Sequence, residues 1–219
     1  MTFDVISTGS KGNAVLIENH ILIDCGVLFK ALRPHVGALR LVLLTHEHGD
    51  HFIASSVYRL HSDRPSLRFG CCEWMVGHLL AAGVSKRSID VYDPGREYRY
   101  GNGLIIRPEA LFHNVPNCGY HIHIGGESLF YATDTGTLDG VTAKGYDLYL
   151  VEANHTKADI VARAEAKWAR GEYAYEFKAA ENHLSLEQTE DWLYQNMGPR
   201  SQYAFLHGHE ESKGEQYAQ

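Results

Sequence analysis

The chain has no run of eighteen apolar residues, so nothing in it predicts a membrane-spanning helix. Met1-Thr2-Phe3-Asp4 lacks the basic region and apolar stretch of a secretory signal, and the expected compartment is the cytoplasm. Cysteine is sparse: Cys25, Cys71, Cys72 and Cys118 follow neither a zinc-knuckle nor a disulfide spacing, which suits buried, reduced thiols. Basic charge is also short, with 20 Lys and Arg against 27 Asp and Glu for a net charge of −7. A protein that grips long duplexes through phosphates carries the opposite balance. If this one meets nucleic acid, metals or a local basic patch must supply the attraction. No Pro- or Ser-rich linker divides the 219 residues, and one domain spanning 1–219 with a polar tail from about 210 is expected. Histidine is the item in excess, at 14.

Hydrophobic periodicity predicts a β-rich start: strands at 3–7, 14–18 and 21–24 around turns at 9–13 and 19–20. A short helix is expected over 30–36. The run 39–45 (Leu-Arg-Leu-Val-Leu-Leu-Thr) reads as a strand buried on both faces. Helices at 55–61 and 73–82 flank a strand at 66–70. The second half repeats the theme. Strands are expected at 98–100, 104–108, 118–124, 128–133, 148–152 and 202–206. Helices are expected at 157–170 and at 186–196, the latter capped by Ser185. Two similar β-then-α halves imply an α/β architecture, the αββα sandwich of two sheets face to face with helices outside.

The strand ending at Thr45 runs into His46-Glu47-His48-Gly49-Asp50-His51. Four ligand-type side chains within six residues after a buried strand are costly unless something satisfies them. Two divalent ions would, one on His46 and His48, the other on Asp50 and His51. Nitrogen and oxygen donors with open positions describe a catalytic centre. Downstream, His113, Asp134 and His207 each close a hydrophobic strand. Strand ends at one rim can converge on one site.

These residues resemble the metallo-β-lactamase superfamily, whose signature is His-x-His-x-Asp-His. The resemblance implies a first metal on His46, His48 and His113, a second on Asp50, His51 and His207, and Asp134 bridging both. Asp24, in Leu-Ile-Asp-Cys-Gly, matches the family's early aspartate, which supports the ligand loop by hydrogen bonds. A bridging Asp134 argues against antibiotic hydrolysis, because true β-lactamases of this fold lack that carboxylate, whereas RNase Z-like, glyoxalase II-like, lactonase-like and DNA-processing branches have it.

More of the chain is similar to the WalJ (YycJ)-like branch: Ser7-Thr8-Gly9-Ser10-Lys11-Gly12-Asn13, Val151-Glu152-Ala153-Asn154-His155, Gly171-x-Tyr173, Lys178 and His183-Leu184-Ser185. It departs at Asn114, where the branch has aspartate, at Asn182, where it has glycine, and at His207-Gly208-His209, where it has His-Leu-Ser; His209 is thus an alternative to His207 as last ligand. The resemblance implies phosphodiester hydrolysis through a hydroxide shared by two Zn or Mn ions, with 5′-exonuclease action on DNA as the branch's activity. Cyclic-nucleotide cleavage, of the kind phage proteins use against host signalling, competes. So does glyoxalase II or lactonase chemistry. The expected catalytic groups are Asp50 and a proton or hydrogen-bond donor, His183 ahead of His155. Lys178, Asn154, Ser10 and Asn13 are expected substrate contacts, although the 9–13 turn reads better as a tight hairpin than as a phosphate cradle. The 163–178 segment mixes Lys and Arg with Trp168 and Tyr173. It suits single-stranded nucleic acid, a lid over a base, a homodimer contact or plain packing. His121 and His123 alternate on one strand and are expected on a solvent face or in a hairpin pair. His20, His35, His61 and His78 are expected at the surface.

Overall fold

The computed structural model describes residues 1–174 and 176–208, the side chains of Phe177, Lys178 and Ala179 excepted. It contains strands β1 (Phe3–Ser7), β2 (Ala14–Ile17), β3 (Ile21–Ile23), β4 (Leu41–Leu44), β5 (Arg68–Cys72), β6 (Ile89–Tyr92), β7 (Tyr98–Arg99), β8 (Ile105–Leu111), β9 (Asn117–Ile124), β10 (Glu127–Ala132), β11 (Leu148–Glu152) and β12 (Gln202–Leu206). The α-helices are α1 (Phe29–Leu32), α2 (Ala54–Asp63), α3 (Glu73–Ala81), α4 (Lys157–Ala169), α5 (Glu176–Asn182) and α6 (Leu186–Asn196). The strands form two six-stranded sheets, ordered β1-β2-β3-β4-β5-β6 and β12-β11-β10-β9-β8-β7. Each mixes antiparallel and parallel pairs. The chain gathers into two compact units: Met1–Tyr100 with Ile105–Pro108, and Gly101–Leu104 with Glu109–Gln219.

In the first unit an antiparallel start (β1, β2, β3) leads into parallel β4, β5 and β6. Every residue of β4 is buried, as the continuous Leu41-Val42-Leu43-Leu44 run requires of a strand covered on both faces. Leu22, Val42, Leu44 and Phe69 pack with Val57 and Leu60 of α2 and Met75 and Leu79 of α3. The helix expected over 30–36 stops at Leu32. Arg33 still has helical backbone, but Pro34 has no N–H to bond back to Lys30, so the helix cannot continue. The sequence reading placed no strand at β6, a four-residue element behind a 3₁₀ turn.

In the second unit β9 and β10 form the hairpin expected around Gly125-Gly126. Parallel β11 and β12 continue the sheet. Phe130, Tyr149 and Val151 pack against Leu184, Trp192 and Leu193. Strand β8 continues three residues past its expected end at Pro108, whose carbonyl accepts from the Gly95 N–H at 2.7 Å. Helix α4 ends in a Schellman motif: Gly171 N–H donates to Trp168 O and Glu172 N–H to Lys167 O, both at 2.9 Å. Gly171 has φ +70°, which explains a glycine there without invoking a ligand. Ser185 caps α6 as expected, in a capping box with Gln188. Helix α5 was not anticipated.

Of the two settings expected for His121, the structure shows the hairpin pair. It pairs with Phe130 across the hairpin and is fully buried rather than on a solvent face. Its Nε2 lies 3.2 Å from Glu109 Oε2 and its Nδ1 3.1 Å from the Tyr146 hydroxyl, which also meets His123 Nε2 at 3.2 Å. A buried imidazole satisfied at both nitrogens needs no solvent.

Candidate metal centre

The first unit presents His46, His48, Asp50 and His51 at the end of β4. Asp24, at the end of β3 and fully buried, organises them. Its Oδ1 accepts from Thr45 N–H at 3.0 Å and from Thr45 Oγ1 at 2.9 Å, and its Oδ2 accepts from His51 Nδ1 at 2.7 Å. Thr45 Oγ1, donating to Asp24, accepts from His46 Nδ1 at 2.9 Å. One buried carboxylate thus fixes both rings with Nδ1 protonated and the Nε2 lone pair available, the state a metal ligand needs. His46 Nε2 and His48 Nδ1 face each other at 3.2 Å, and the His46 and His51 ring centroids are 4.2 Å apart. Cys25, next to Asp24, is buried, and its thiol is pushed well above the usual range, first by burial and then by the Asp24 charge. It is a neutral packing residue.

The 9–13 turn supports this loop. Asn13 is buried and its N–H donates to Asp50 O at 2.6 Å. Its amide Nδ2 reaches Gly9 O at 3.2 Å and Asp50 O at 3.1 Å. The same Nδ2 lies 2.8 Å from His51 Nε2, so the amide meets both the ring and the backbone of this loop. Ser10 is exposed on the same turn.

The second unit presents His113, Asp134 and His207 and adds two further groups. Asp134 Oδ1 lies 3.4 Å from His207 Nε2, 3.7 Å from His183 Nδ1 and 4.0 Å from His113 Nε2. His113 Nδ1 meets Asn182 O at 3.2 Å, at the end of α5, a contact that protonates Nδ1 and leaves Nε2 for a metal. Glu152, which closes β11, is fully buried. It accepts from His183 Nδ1 at 2.5 Å and from Thr135 N–H at 3.1 Å, and it lies 3.4 Å from His207 Nδ1. Donor atoms of Asp134, Glu152, His183 and His207 all fall within 4.8 Å of one another. Burial alone would raise the Glu152 pKa and lower that of His183, but their mutual attraction outweighs burial. Glu152 is held below the usual carboxylate range and His183 above the usual imidazole range. His155 goes the other way, lowered chiefly by burial.

Sequence reasoning quoted Glu152 within a motif but gave it no role. The signal was present: like Asp134 and His207, it is a charged or ligand-type residue closing an apolar strand. Asn154 and His155 lie where β11 leaves the sheet. Asn154 Nδ2 donates to His207 O at 3.0 Å, and His155 pairs with Ser185 in an isolated bridge. The Lys178 side chain and His209 lie outside the described residues.

Asp24, Asp134 and His207, at the ends of β3, β10 and β12, all have left-handed backbone, with φ of 62°, 56° and 52°. Non-glycine residues rarely adopt it, and such strain gathers at functional sites.

Two mixed sheets with helices, each unit carrying imidazole and carboxylate donors at its strand ends, define the metallo-β-lactamase fold. The chain belongs to the beta-lactamase superfamily: residues 19–205 match the family described as Beta-lactamase superfamily domain. It is 25% identical over 168 residues to Exodeoxyribonuclease YycJ of Bacillus anthracis, a match covering 70% of this chain and 62% of that protein. Against the crystal structure of human tRNase Z, short form, it has a TM-score of 0.68 at 15% identity, over 96% of this chain and 94% of that one. Against Zn(2+)-bound PqqB from Methylobacterium extorquens the TM-score is 0.63 at 13% identity, over 95% and 89%. Among the described residues no helix is long and apolar enough to cross a membrane.

Proposed function

We propose that the donors of both units act as one catalytic domain holding two divalent ions, zinc or manganese, and that the chain hydrolyses phosphodiesters as a nuclease of the 5′-exonuclease kind. The observation that carries this reading is the preset protonation of the donors. His46, His51 and His113 each spend Nδ1 on a partner within the protein, which makes Nε2 the nitrogen that would ligate. His46, His48 and His113 would hold one ion, Asp50, His51 and His207 the other, with Asp134 between them. When bound, the ions would supply an ionised water at neutral pH and neutralise charge on the phosphate oxygens.

The chain's own residues do the rest. Asp24 orients His46 and His51. Glu152 holds a proton on His183 Nδ1 and keeps that ring cationic above the usual imidazole range, so His183 is the group able to give a proton to the departing oxygen or a hydrogen bond to the phosphate. His155, lowered by burial, is the weaker candidate. Ser10, exposed on the 9–13 turn, and Lys178 remain candidates for meeting the substrate.

The kinship with an exodeoxyribonuclease and the likeness to a tRNase fold support a nucleic-acid substrate. Cyclic-nucleotide cleavage on the same site is favoured by the net charge of −7. The purified protein with Mn²⁺ or Zn²⁺ is to be offered bis-p-nitrophenyl phosphate, linear DNA, cyclic nucleotides and a lactone. Release of p-nitrophenol together with DNA shortening from 5′ ends is the expected result. Cyclic-nucleotide cleavage without DNA shortening moves the substrate to the second reading. Turnover of the lactone alone overturns both.

A further inference from the structure

Three asparagines outside the expected ligand set make one recurring contact. Each places its side-chain amide nitrogen on the backbone carbonyl of a donor residue. Asn13 Nδ2 reaches Asp50 O at 3.1 Å, Asn117 Nδ2 reaches Asp134 O at 2.8 Å, and Asn154 Nδ2 reaches His207 O at 3.0 Å. None of the three contacts lies in a strand ladder or a helix; each is a side chain satisfying a loop carbonyl, just past a strand end for Asp134 and His207 and within the 46–51 loop for Asp50.

Two of the clamped residues, Asp134 and His207, have left-handed backbone. Such a residue costs about 1 kcal/mol or more relative to ordinary backbone and relaxes unless its neighbours hold it. For Asp134 the hold is complete. The Asn117 amide uses its two hydrogens on Thr133 O at 3.0 Å and Asp134 O at 2.8 Å, the carbonyls either side of the strained φ. Asn117 is itself buried at the start of β9, so its amide cannot turn to solvent instead. Asn154 combines the His207 carbonyl with a close approach to the ring, 3.2 Å from Nδ1. Asn13 holds Asp50 O twice, with its backbone N–H at 2.6 Å and its amide.

We propose that Asn13, Asn117 and Asn154 are positioning residues that aim Asp50, Asp134 and His207 by clamping their carbonyls, and that none of the three binds substrate. The inference rests on the metal reading above. It reassigns Asn13 and Asn154, whose amides are engaged with donor residues, and gives Asn117 a role that its sequence context did not suggest.

The test is metal affinity of the folded protein, read by competition for Zn²⁺ with a chromogenic chelator, alongside kcat and KM for bis-p-nitrophenyl phosphate. Asn117→Ala and Asn154→Ala are expected to weaken Zn²⁺ binding about 10- to 100-fold, the usual consequence of losing a group that orients a ligand. KM under saturating metal should be unchanged. Asn196→Ala is the control. That asparagine is as deeply buried and bonds Ala143 N and Trp192 O, and it touches no donor; its loss should lower the melting temperature and leave Zn²⁺ affinity alone. Circular dichroism establishes folding. If Asn117→Ala does not fold, the half-buried Asn154 decides. Folded variants that bind Zn²⁺ as tightly as wild type while KM rises would make these asparagines substrate contacts and overturn the proposal. Equal weakening by Asn196→Ala would overturn it too, by reducing the effect to general stability. A wild-type protein that takes up no Zn²⁺ refutes the metal reading itself, a separate result in the same assay.

Discussion

A single buried carboxylate sets the protonation of two imidazoles in the first unit. Asp24 reaches His51 directly and His46 through the Thr45 hydroxyl, so the two routes can be cut separately. Thr45→Val, close to isosteric, removes the route to His46 alone; a roughly tenfold loss of metal affinity is expected. Asp24→Ala removes both and should cost more, toward about 100-fold. Because both routes start from Asp24, the double variant should be no weaker than Asp24→Ala alone. Additive losses in the chelator competition would show that Thr45 acts by packing. On the second unit, His183→Ala should lower kcat about 10²- to 10⁴-fold with metal content unchanged, the range for a proton donor; loss of metal with the ring would make His183 a ligand instead. Donors that follow a long apolar strand were legible in the sequence because a polar side chain ending such a strand has to be explained. Glu152 obeys the same rule, closing the fully buried Leu148–Glu152 strand. What no spacing encodes is the pairing: that His183, 31 positions along the chain, meets Glu152 is set by α5 and the turn before α6.

At the scale of elements, the loops that carry donors are held by close approaches only glycine allows. A Cβ on Gly26 would lie 1.7 Å from Asp50 O, and a Cβ on Gly12 2.2 Å from Gly26 O. Both contacts are with backbone, which cannot swing aside as a side-chain end can. Gly26→Ala is therefore expected to displace the 46–51 loop, to destabilise the first unit by about 3 kcal/mol or more, and to abolish metal uptake at temperatures where the variant stays folded. A variant with wild-type melting and Zn²⁺ content would mean that the loop tolerates a shift. The demand at the end of α4 is of another kind: a Cβ on Gly171 meets nothing within 4 Å, and it is the φ of +70° that favours glycine there. The elements that escaped prediction are short and weakly patterned. Strand β6 has four residues, Ile-Asp-Val-Tyr, and α5 has seven, too few for a helical period to stand out. Their places are set by the β5 neighbour in one case and by the Lys167–Glu176 ion pair, at 2.6 Å, in the other. Neither constraint is local.

For the molecule as a whole, the donors that make a metal centre are a burden without metal. The second unit then leans on the Glu152–His183 pair. Glu152, depressed below its ordinary 4.5, contributes stability present above that value and lost as pH falls through its folded pKa. His183, raised above its ordinary 6.5, contributes stability present below that value and lost as pH rises through its folded pKa. Chelator-treated protein should thus be most stable between the two ordinary values, by about 1.5–3 kcal/mol from this charged hydrogen bond. Urea midpoints across that pH range measure it, and Glu152→Gln should flatten the profile. A flat wild-type profile would mean that the pair contributes nothing net. If the proposed ions draw donors from both units, they would couple the units' unfolding, because neither could open without releasing the ligands it supplies. At free Zn²⁺ about 100-fold above Kd the gain is about 2.7 kcal/mol per site, and it is shared between the units. Calorimetry of the metal-loaded protein should then show one transition, and chelation should lower it and separate a component for each compact unit. Two transitions that persist with metal bound, each shifted by its own amount, would mean that each unit holds its ion alone, and the shared centre proposed for the donors of β4, β10 and β12 would be wrong.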